Sequence, residues 1–598
     1  MGEIEKQRIA ALQKLLKEAG IDYYIVPTAD YHNSEYVHAH FKLREFLSGF
    51  TGSAGTLVVS AKEAGLWTDG RYFVQAENEL KGSGIVLYKM LEEGVPKIKE
   101  YLEKNVTEGQ TIGFDGRVVD AFFGKELEET LDGKNVTFVY DQDIAAQLWQ
   151  ERPARPVSKL WIVPEESCGM SVAEKLAKVR EKMAEEGAEQ LLISKLDDIM
   201  WLYNIRANDV DCNPVALSYT YVSKDKAVLF IQKEALTDEA EQHFEKSGVC
   251  CEDYDSVVTY LKSCKMSGKV WCSSADLSYM LYKLVQSRAE LVDKNNPTEV
   301  LKAVKNPVEL EHIRDCYIKD SAVLTKFLFW MKENAGKVPM NELSVAAKLD
   351  SMRAELPGFL DLSFPTISAY KANAAMAHYS ADEENFSTIE ADGFYLVDSG
   401  GQYEGGTTDV TRTIALGPVT DEMKLHFTKV ACSMLRLADT KFLHGCTGRN
   451  LDIVAREPLW QCGLDYKHGT GHGIGYILNV HEGPHSLRWQ YRPELPETEL
   501  EEGMIVSDEP GMYVQDSHGI RTENIVEIVN EEKNEYGQFM GFRHLTYVPV
   551  DLDAIDTQYM EPSDLCRLNA YHRSVYEKLS PYFEGNELEM LRKATRPL

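Results

Sequence analysis

Phe394-Tyr-Leu-Val-Asp398-Ser-Gly-Gly-Gln-Tyr-Glu-Gly-Gly-Thr-Thr-Asp409-Val-Thr-Arg-Thr-Ile414 is the stretch on which the reading of this chain turns. Phe394 to Val397 is an apolar run of the kind that forms a buried strand, yet it delivers a carboxylate, Asp398, at its end. A carboxylate there costs desolvation energy unless a cation compensates it. Asp409 then stands mid-strand in a run rich in β-branched residues. With Gly400, Gly401, Gly405 and Gly406 between them, the two strands can fold back side by side and bring the carboxylates together.

The theme repeats downstream. Gly503-Met-Ile-Val-Ser is a second apolar strand, ending in Asp508-Glu509-Pro510-Gly511, where proline and glycine force a turn and leave Glu509 at the strand end. Gly519-Ile-Arg-Thr-Glu523-Asn-Ile-Val alternates, so Arg521 and Glu523 share one face and Ile520 and Thr522 the other. Between these segments His472 sits in His468-Gly-Thr-Gly-His-Gly-Ile-Gly475, where the glycines let backbone and imidazole approach a ligand closely. Taken singly, each acid also reads as a turn residue, a cap or part of a solvated face. Taken together, four carboxylates and an imidazole carry about −4 of charge that two divalent cations neutralise. Oxygen-rich ligation favours a hard ion, Mn²⁺ first, with Co²⁺ or Zn²⁺ as alternatives.

Other motifs fall away. His481-Glu-Gly-Pro-His485 fits the pattern of helical zinc peptidases, but Gly483 and Pro484 preclude the helix that would put both histidines on one face. No nucleophile elbow and no phosphate loop occurs, and Gly469 to Gly475 lacks dinucleotide-binding spacing.

Around these segments the chain reads as a multidomain globular protein of 598 residues, 44% hydrophobic and 27% charged. Lys and Arg number 64 against 95 Asp and Glu, and the resulting charge of −31 repels nucleic acid and anionic membrane surfaces. Eleven scattered cysteines without a C-x-x-C pair read as reduced thiols in a cytosol. Met-Gly-Glu-Ile-Glu-Lys lacks a signal-peptide core, and no apolar run is long enough to span a bilayer.

The first segment opens on a helical pattern around Ile9 to Leu16, followed by short strands at Tyr23 to Val26 and Thr56 to Val59. Pro153, Pro156 and Pro164 mark a break. The second segment opens in the same way, a helix over Val172 to Glu185 and then a strand at Leu191, which raises an internal duplication. Lys294-Asn-Asn-Pro297 marks another break, and Asn306-Pro307 starts a long helix over Val308 to Glu333. From Phe542 the chain reads as a loop followed by helices.

The stretches D-S-G-G-Q-Y-E-G-G-T-T-D-V-T-R-T, H-G-T-G-H-G-I-G, H-E-G-P, D-E-P-G-M-Y and G-I-R-T-E-N resemble, in order and spacing, the three-domain cytosolic Xaa-Pro aminopeptidases of the pita-bread metallopeptidase group. Phe46-Leu-Ser-Gly-Phe-Thr-Gly, Trp67-Thr-Asp-Gly-Arg-Tyr-Phe and Trp201-Leu-Tyr-Asn-Ile-Arg extend the likeness over most of the chain. Lys371 departs from it, standing where the family usually has a small residue before Asn373-Ala-Ala-Met-Ala-His378.

The resemblance implies an α/β (α+β) protein with two creatinase-N-like α/β domains, 1–156 and 157–304, a pita-bread catalytic domain, 305–541, and a C-terminal extension, 542–598, packed on it. It implies hydrolysis of the N-terminal Xaa-Pro bond by a dinuclear metal centre that activates a bridging water. Asp398 would bind one metal, Asp409 and Glu523 would bridge both, and His472 and Glu509 would complete the second. Glu509 is the candidate proton acceptor, and His378, His468 and His481 would contact substrate or stabilise the tetrahedral intermediate. His472 also borders the substrate, Arg71 would reach the bound peptide, and Arg521 would support the ligands from behind. Peptides with proline in the second position are the expected partners, and a homodimer the expected assembly. Three rivals remain: a prolidase with the same ligands, disfavoured by the two long N-terminal domains; a metal-free creatinase-like hydrolase; and a catalytically dead binding relative, which would have lost ligands.

Overall fold

The computed structural model describes residues 2–491 and 497–598. The chain divides into two compact units, one built from the segment up to Glu165 together with Met170–Thr298, the other from Glu166–Gly169 together with Glu299–Leu598.

In the first unit, helix Glu3–Ala19 buries Ile9, Leu12 and Leu16, one apolar stripe at helical spacing, and stops at Gly20 in the left-handed region (φ 70°). It covers a six-stranded sheet in the order Ile85–Lys89, Ala64–Thr68, Thr56–Ser60, Tyr23–Pro27, Thr111–Phe114, Thr137–Val139. The second half starts with helix Val172–Glu185, where Ser171 and Glu174 each accept the other's backbone N–H. Its sheet runs Val249–Asp253, Ala227–Ile231, Ser218–Ser223, Ala188–Ile193, Lys269–Cys272, Glu290–Asp293. In both sheets the strand after the opening helix pairs antiparallel on one side and parallel on the other. The two halves repeat one topology, as their matching openings suggest.

In the second unit, Asn306 starts helix Pro307–Asn334 by accepting the N–H groups of Val308 and Glu309 at 2.9 and 3.1 Å. Strands Ile367–Tyr370, Phe394–Ser399 and Val410–Ala415 form one antiparallel sheet. A larger one runs Phe442–Leu443, Gly537–His544, Asn524–Asn534, Ile505–Asp508, Gly471–Gly473, Glu482–Leu487. The C-terminal helices Pro562–Leu579 and Gly585–Ala594 send Leu568, Val575, Leu579 and Leu591 into the core that also holds Phe394, Phe427, Val430 and Met434. Burial of each such side chain stabilises by about 1.5–3 kcal/mol, so the tail belongs to the core of the second unit. Strand Gly537–His544 runs past residue 542, where the C-terminal extension is expected to begin, with Phe542 paired to Ile528.

No helix among the described residues is long and apolar enough to cross a membrane.

Candidate metal centre

Strands Phe394–Ser399 and Val410–Ala415 pair in antiparallel register with Asp398 opposite Thr411, which is the fold-back that the glycines between them allow. Asp409 is not mid-strand. Gly406–Thr407 belongs to a small sheet with Gly401–Tyr403, Val410–Ala415 belongs to the sheet of Asp398, and Asp409 lies in the gap where the chain passes from one to the other. Glu523 occupies an equivalent gap. The alternating stretch expected as one strand ends at Arg521 and resumes at Asn524 in a different sheet. Glu523 N–H is held by Thr411 C=O at 3.1 Å, so the two gaps adjoin. A residue between sheets owes its backbone geometry to neither ladder, which frees both carboxylates to turn into the same space.

Three donors from Asp409, His472 and Glu523 lie within 4.8 Å of one another. His472 Nε2 is 3.5 Å from Asp409 Oδ2 and 3.3 Å from Glu509 Oε1. Its Nδ1 faces Gly473 C=O at 2.9 Å, which fixes the proton on Nδ1 and leaves the Nε2 lone pair toward the carboxylates. Burial and then the neighbouring acids Asp398 and Glu509 push Asp409 well above the usual carboxylate range. Burial with Asp409, Glu509 and Asp398 does the same to Glu523, and burial holds Glu509 up at about 7 against the pull of Arg521. Asp398 Oδ2 accepts from Arg521 Nη2 at 2.6 Å, while Asp398 Oδ1 is buried with no hydrogen-bond partner. Four acids crowded round one guanidinium, with an orphan carboxylate oxygen and a tautomer-fixed imidazole, form a donor set that fits hard divalent cations.

Around the acids runs a hydrogen-bonded chain. Arg521 donates to Asp398, to Tyr513 Oη at 2.8 Å and to Thr411 Oγ1 at 3.1 Å, and Thr411 donates to Glu523 at 2.8 Å. Tyr513 Oη in turn meets His468 Nε2 at 2.9 Å, and His468 Nδ1 faces Gly469 C=O at 2.7 Å. Burial, reinforced by the Arg521 charge, lowers His468 to about 3, so it is neutral and accepts from Tyr513. Ser507 donates to Glu509 at 3.1 Å and accepts His472 N–H at 3.0 Å. The sequence reading assigned no role to Tyr513, Thr411 or Ser507. A signal for Tyr513 exists: Gly511 lies opposite Arg521 in the hairpin, and a Cβ there would be 2.6 Å from Tyr513 Oη.

His481 packs edge-on against His472, ring centroids 4.4 Å apart at 87°. The rest of the zinc-peptidase look-alike disperses along strand Glu482–Leu487: Glu482 is buried against lysines, and His485 Nε2 bonds Ile505 C=O at 2.8 Å. The glycines around His472 serve neighbouring backbone rather than a ligand, since a Cβ on Gly471 would sit 1.8 Å from Ser507 O. His378 is half-buried just beyond the turn Lys371–Ala375, whose Ala374 C=O presses on Gly519 of the hairpin. Arg71 lies in the other unit, forked onto Asp69 by Nε–Oδ1 and Nη2–Oδ2 bonds of 2.9 and 2.8 Å.

Residues 8–146 and 151–309 each match the creatinase/prolidase N-terminal domain, 311–530 match metallopeptidase family M24, and 538–598 match the C-terminal region of that peptidase. The chain is 37% identical to the probable Xaa-Pro aminopeptidase P of Talaromyces marneffei, over 99% of this chain and 92% of that protein.

The chain belongs to metallopeptidase family M24.

This member of the family is also 36% identical to aminopeptidase P1 of Arabidopsis thaliana, with 97% of each chain covered. Among solved structures it resembles the X-prolyl aminopeptidase of Caenorhabditis elegans, described as a cytosolic enzyme with a di-nuclear active site. The TM-score is 0.94 and the identity 31%, over 99% of this chain and 100% of that one. The expected fold class, two creatinase-N-like domains before a pita-bread metallopeptidase domain, is what the chain has.

Proposed function

We propose that this protein is a two-metal aminopeptidase that removes an N-terminal residue standing before proline, with Asp398, Asp409, His472, Glu509 and Glu523 as the ligands. The observation that carries the reading is the convergence of these side chains in one buried site, where four carboxylates gather beside the Arg521 guanidinium and the His472 imidazole, whose Nε2 lies 3.5 Å from Asp409 and 3.3 Å from Glu509. The names borne by the relatives supply the substrate class. When bound, two divalent ions, Mn²⁺ first among the candidates, supply Lewis acidity to the attacking water and the scissile carbonyl.

The chain's own residues do the rest. Asp409 and Glu523, in adjoining gaps between sheets, would hold the ions together with Asp398, His472 and Glu509. Glu509, which accepts from Ser507 and lies 3.3 Å from His472 Nε2, is the base that takes the proton of the attacking water. His481, edge-on to His472, faces the same carboxylates and donates to the oxygen that gains charge in the transition state; His378 and His468 line the substrate. Arg521 holds Asp398 and, through Thr411, Glu523 at fixed angles. Arg71 belongs to this reading as a contact to the peptide. The enzyme works in the cytosol, as the relative from Caenorhabditis elegans does, and assembles as a homodimer. Trp460 and Trp489, packed edge to face with ring centroids 5.9 Å apart, are exposed on the second unit, where a second copy would cover them.

The test is elemental analysis of the purified protein together with turnover of an Arg-Pro-Pro peptide, with and without Mn²⁺, beside a simple Xaa-Pro dipeptide. Two ions per chain and turnover of the longer peptide are expected. Full turnover after exhaustive chelation refutes the metal reading, and cleavage of the dipeptide alone makes the protein a prolidase.

A further inference from the structure

The strand Glu482–Leu487, which begins directly after His481, is irregular where regularity would matter most. Gly471 pairs with Leu487 and His472 with Ser486, but Gly473 pairs with Glu482, so Gly483, Pro484 and His485 loop out of the ladder. Register in a regular ladder is set by the alternation of side chains, and a loop of this kind removes that control. Something else has to decide how far His481 stands from His472.

What decides it is beside the loop. Glu482 is buried, its side chain only 2% exposed, and both carboxylate oxygens are taken: Oε2 accepts from Lys302 Nζ at 2.9 Å and Oε1 from Lys305 Nζ. The lysines are 3% and 1% exposed, and Lys305 also donates to Lys302 C=O at 3.0 Å. Burial lowers Lys305, and the two ammonium groups hold Glu482 below the usual carboxylate range. The backbone is clamped just as closely, since a Cβ on Gly473 would sit 2.4 Å from Glu482 O. On the other side of His481, Gln402 donates to Leu478 C=O at 2.8 Å, and Asn479 Oδ1 accepts His481 N–H at 3.3 Å.

We propose that Glu482, gripped by Lys302 and Lys305, is the positioning residue that sets His481 against His472, and so tunes the step in which His481 stabilises charge. This rests on the assignment of His481 to the substrate's oxygen. The proposal separates Glu482 from the metals: it touches no ligand side chain, and its effect on turnover passes through one histidine.

The experiment is a double-mutant cycle on the metal-loaded full chain. Glu482→Gln alone is expected to lower kcat about 10- to 100-fold with KM changed less than about twofold, while elemental analysis still finds the wild-type metal content. In a His481→Ala background, Glu482→Gln is expected to lower kcat no further, because the two act as one unit. If the losses multiply, or if Glu482→Gln empties the metal site, Glu482 acts otherwise and the proposal falls. If His481→Ala alone keeps full turnover, the assignment of His481 falls and takes the proposal with it. Should Glu482→Gln fail to fold, Lys302→Met, which leaves the Lys305–Glu482 pair, is read in the same cycle by the same criteria.

Discussion

Of the strands that carry an aspartate to a buried end, two meet opposite fates. Thr111–Phe114 in the first unit delivers Asp115, which is 5% exposed, and within two residues Arg117 forks onto it with bonds of 2.9 and 2.8 Å. Phe394–Ser399 in the second unit delivers Asp398, whose partner Arg521 lies 123 positions away and takes one oxygen, leaving the other buried and unpaired. The first acid is neutralised locally and is finished. The second shares its cation with three further acids, and the surplus negative charge is what makes the region a place for metal. A strand-end aspartate is therefore an ordinary structural device, and an unsatisfied oxygen among unneutralised neighbours is the functional mark.

The comparison breaks most decisively at the bridging acids. Asp409→Ala or Glu523→Ala is expected to lower kcat/KM by about 10³-fold or more and to abolish two-metal stoichiometry; a variant that keeps two ions and full turnover would remove the distinction. Next in size, Arg521→Lys loses the fork that aims Asp398 and meets Tyr513, and turnover should drop by about 10- to 100-fold in steady-state assays. Its metal content read by elemental analysis should fall less than that of Glu523→Ala.

The surplus charge also has a pH signature. Folding raises the pKa values of Asp409, Glu509 and Glu523 above those of the unfolded chain, so in the metal-free protein these groups favour the fold while protonated, below the unfolded values. That contribution is lost as pH rises through the folded ones, about 7 for Glu509. Bound cations compensate the ionised acids. The gap in Tm between metal-loaded and chelated protein should thus be wider at about pH 8 than at about pH 5.5, by scanning calorimetry; a gap that narrows with rising pH contradicts the picture.

The smallest effect tests the quiet aspartate. Asp115→Asn should cost about 1–3 kcal/mol of stability in denaturant unfolding and leave turnover and metal content unchanged.

Much of this was open to a reader of the chain alone. The helix start at Asn306-Pro307, the helix over Val172 to Glu185 and the strands ending in Asp398 and Asp508-Glu509 follow from local turn chemistry and period. The motif set sufficed to name the family. Pattern also misled in places. Alternation across Arg521 and Glu523 put both on one side, where they share Thr411, yet hid the break between two sheets that makes Glu523 available.

Local rules of propensity, turn chemistry and alternation act over a few residues, and the amino-acid order alone settled what they govern: that apolar strands end in Asp398 and in Asp508-Glu509, and that no helix could present His481 and His485 together. Tertiary packing decided what depends on partners remote in the chain. It brought Arg521 to Asp398, placed Tyr513 between Arg521 and His468, gave Glu482 to two lysines, and pressed the glycines beside His472 onto backbone instead of ligand. Such contacts form only when several sheets converge, and no window of sequence contains both of their ends.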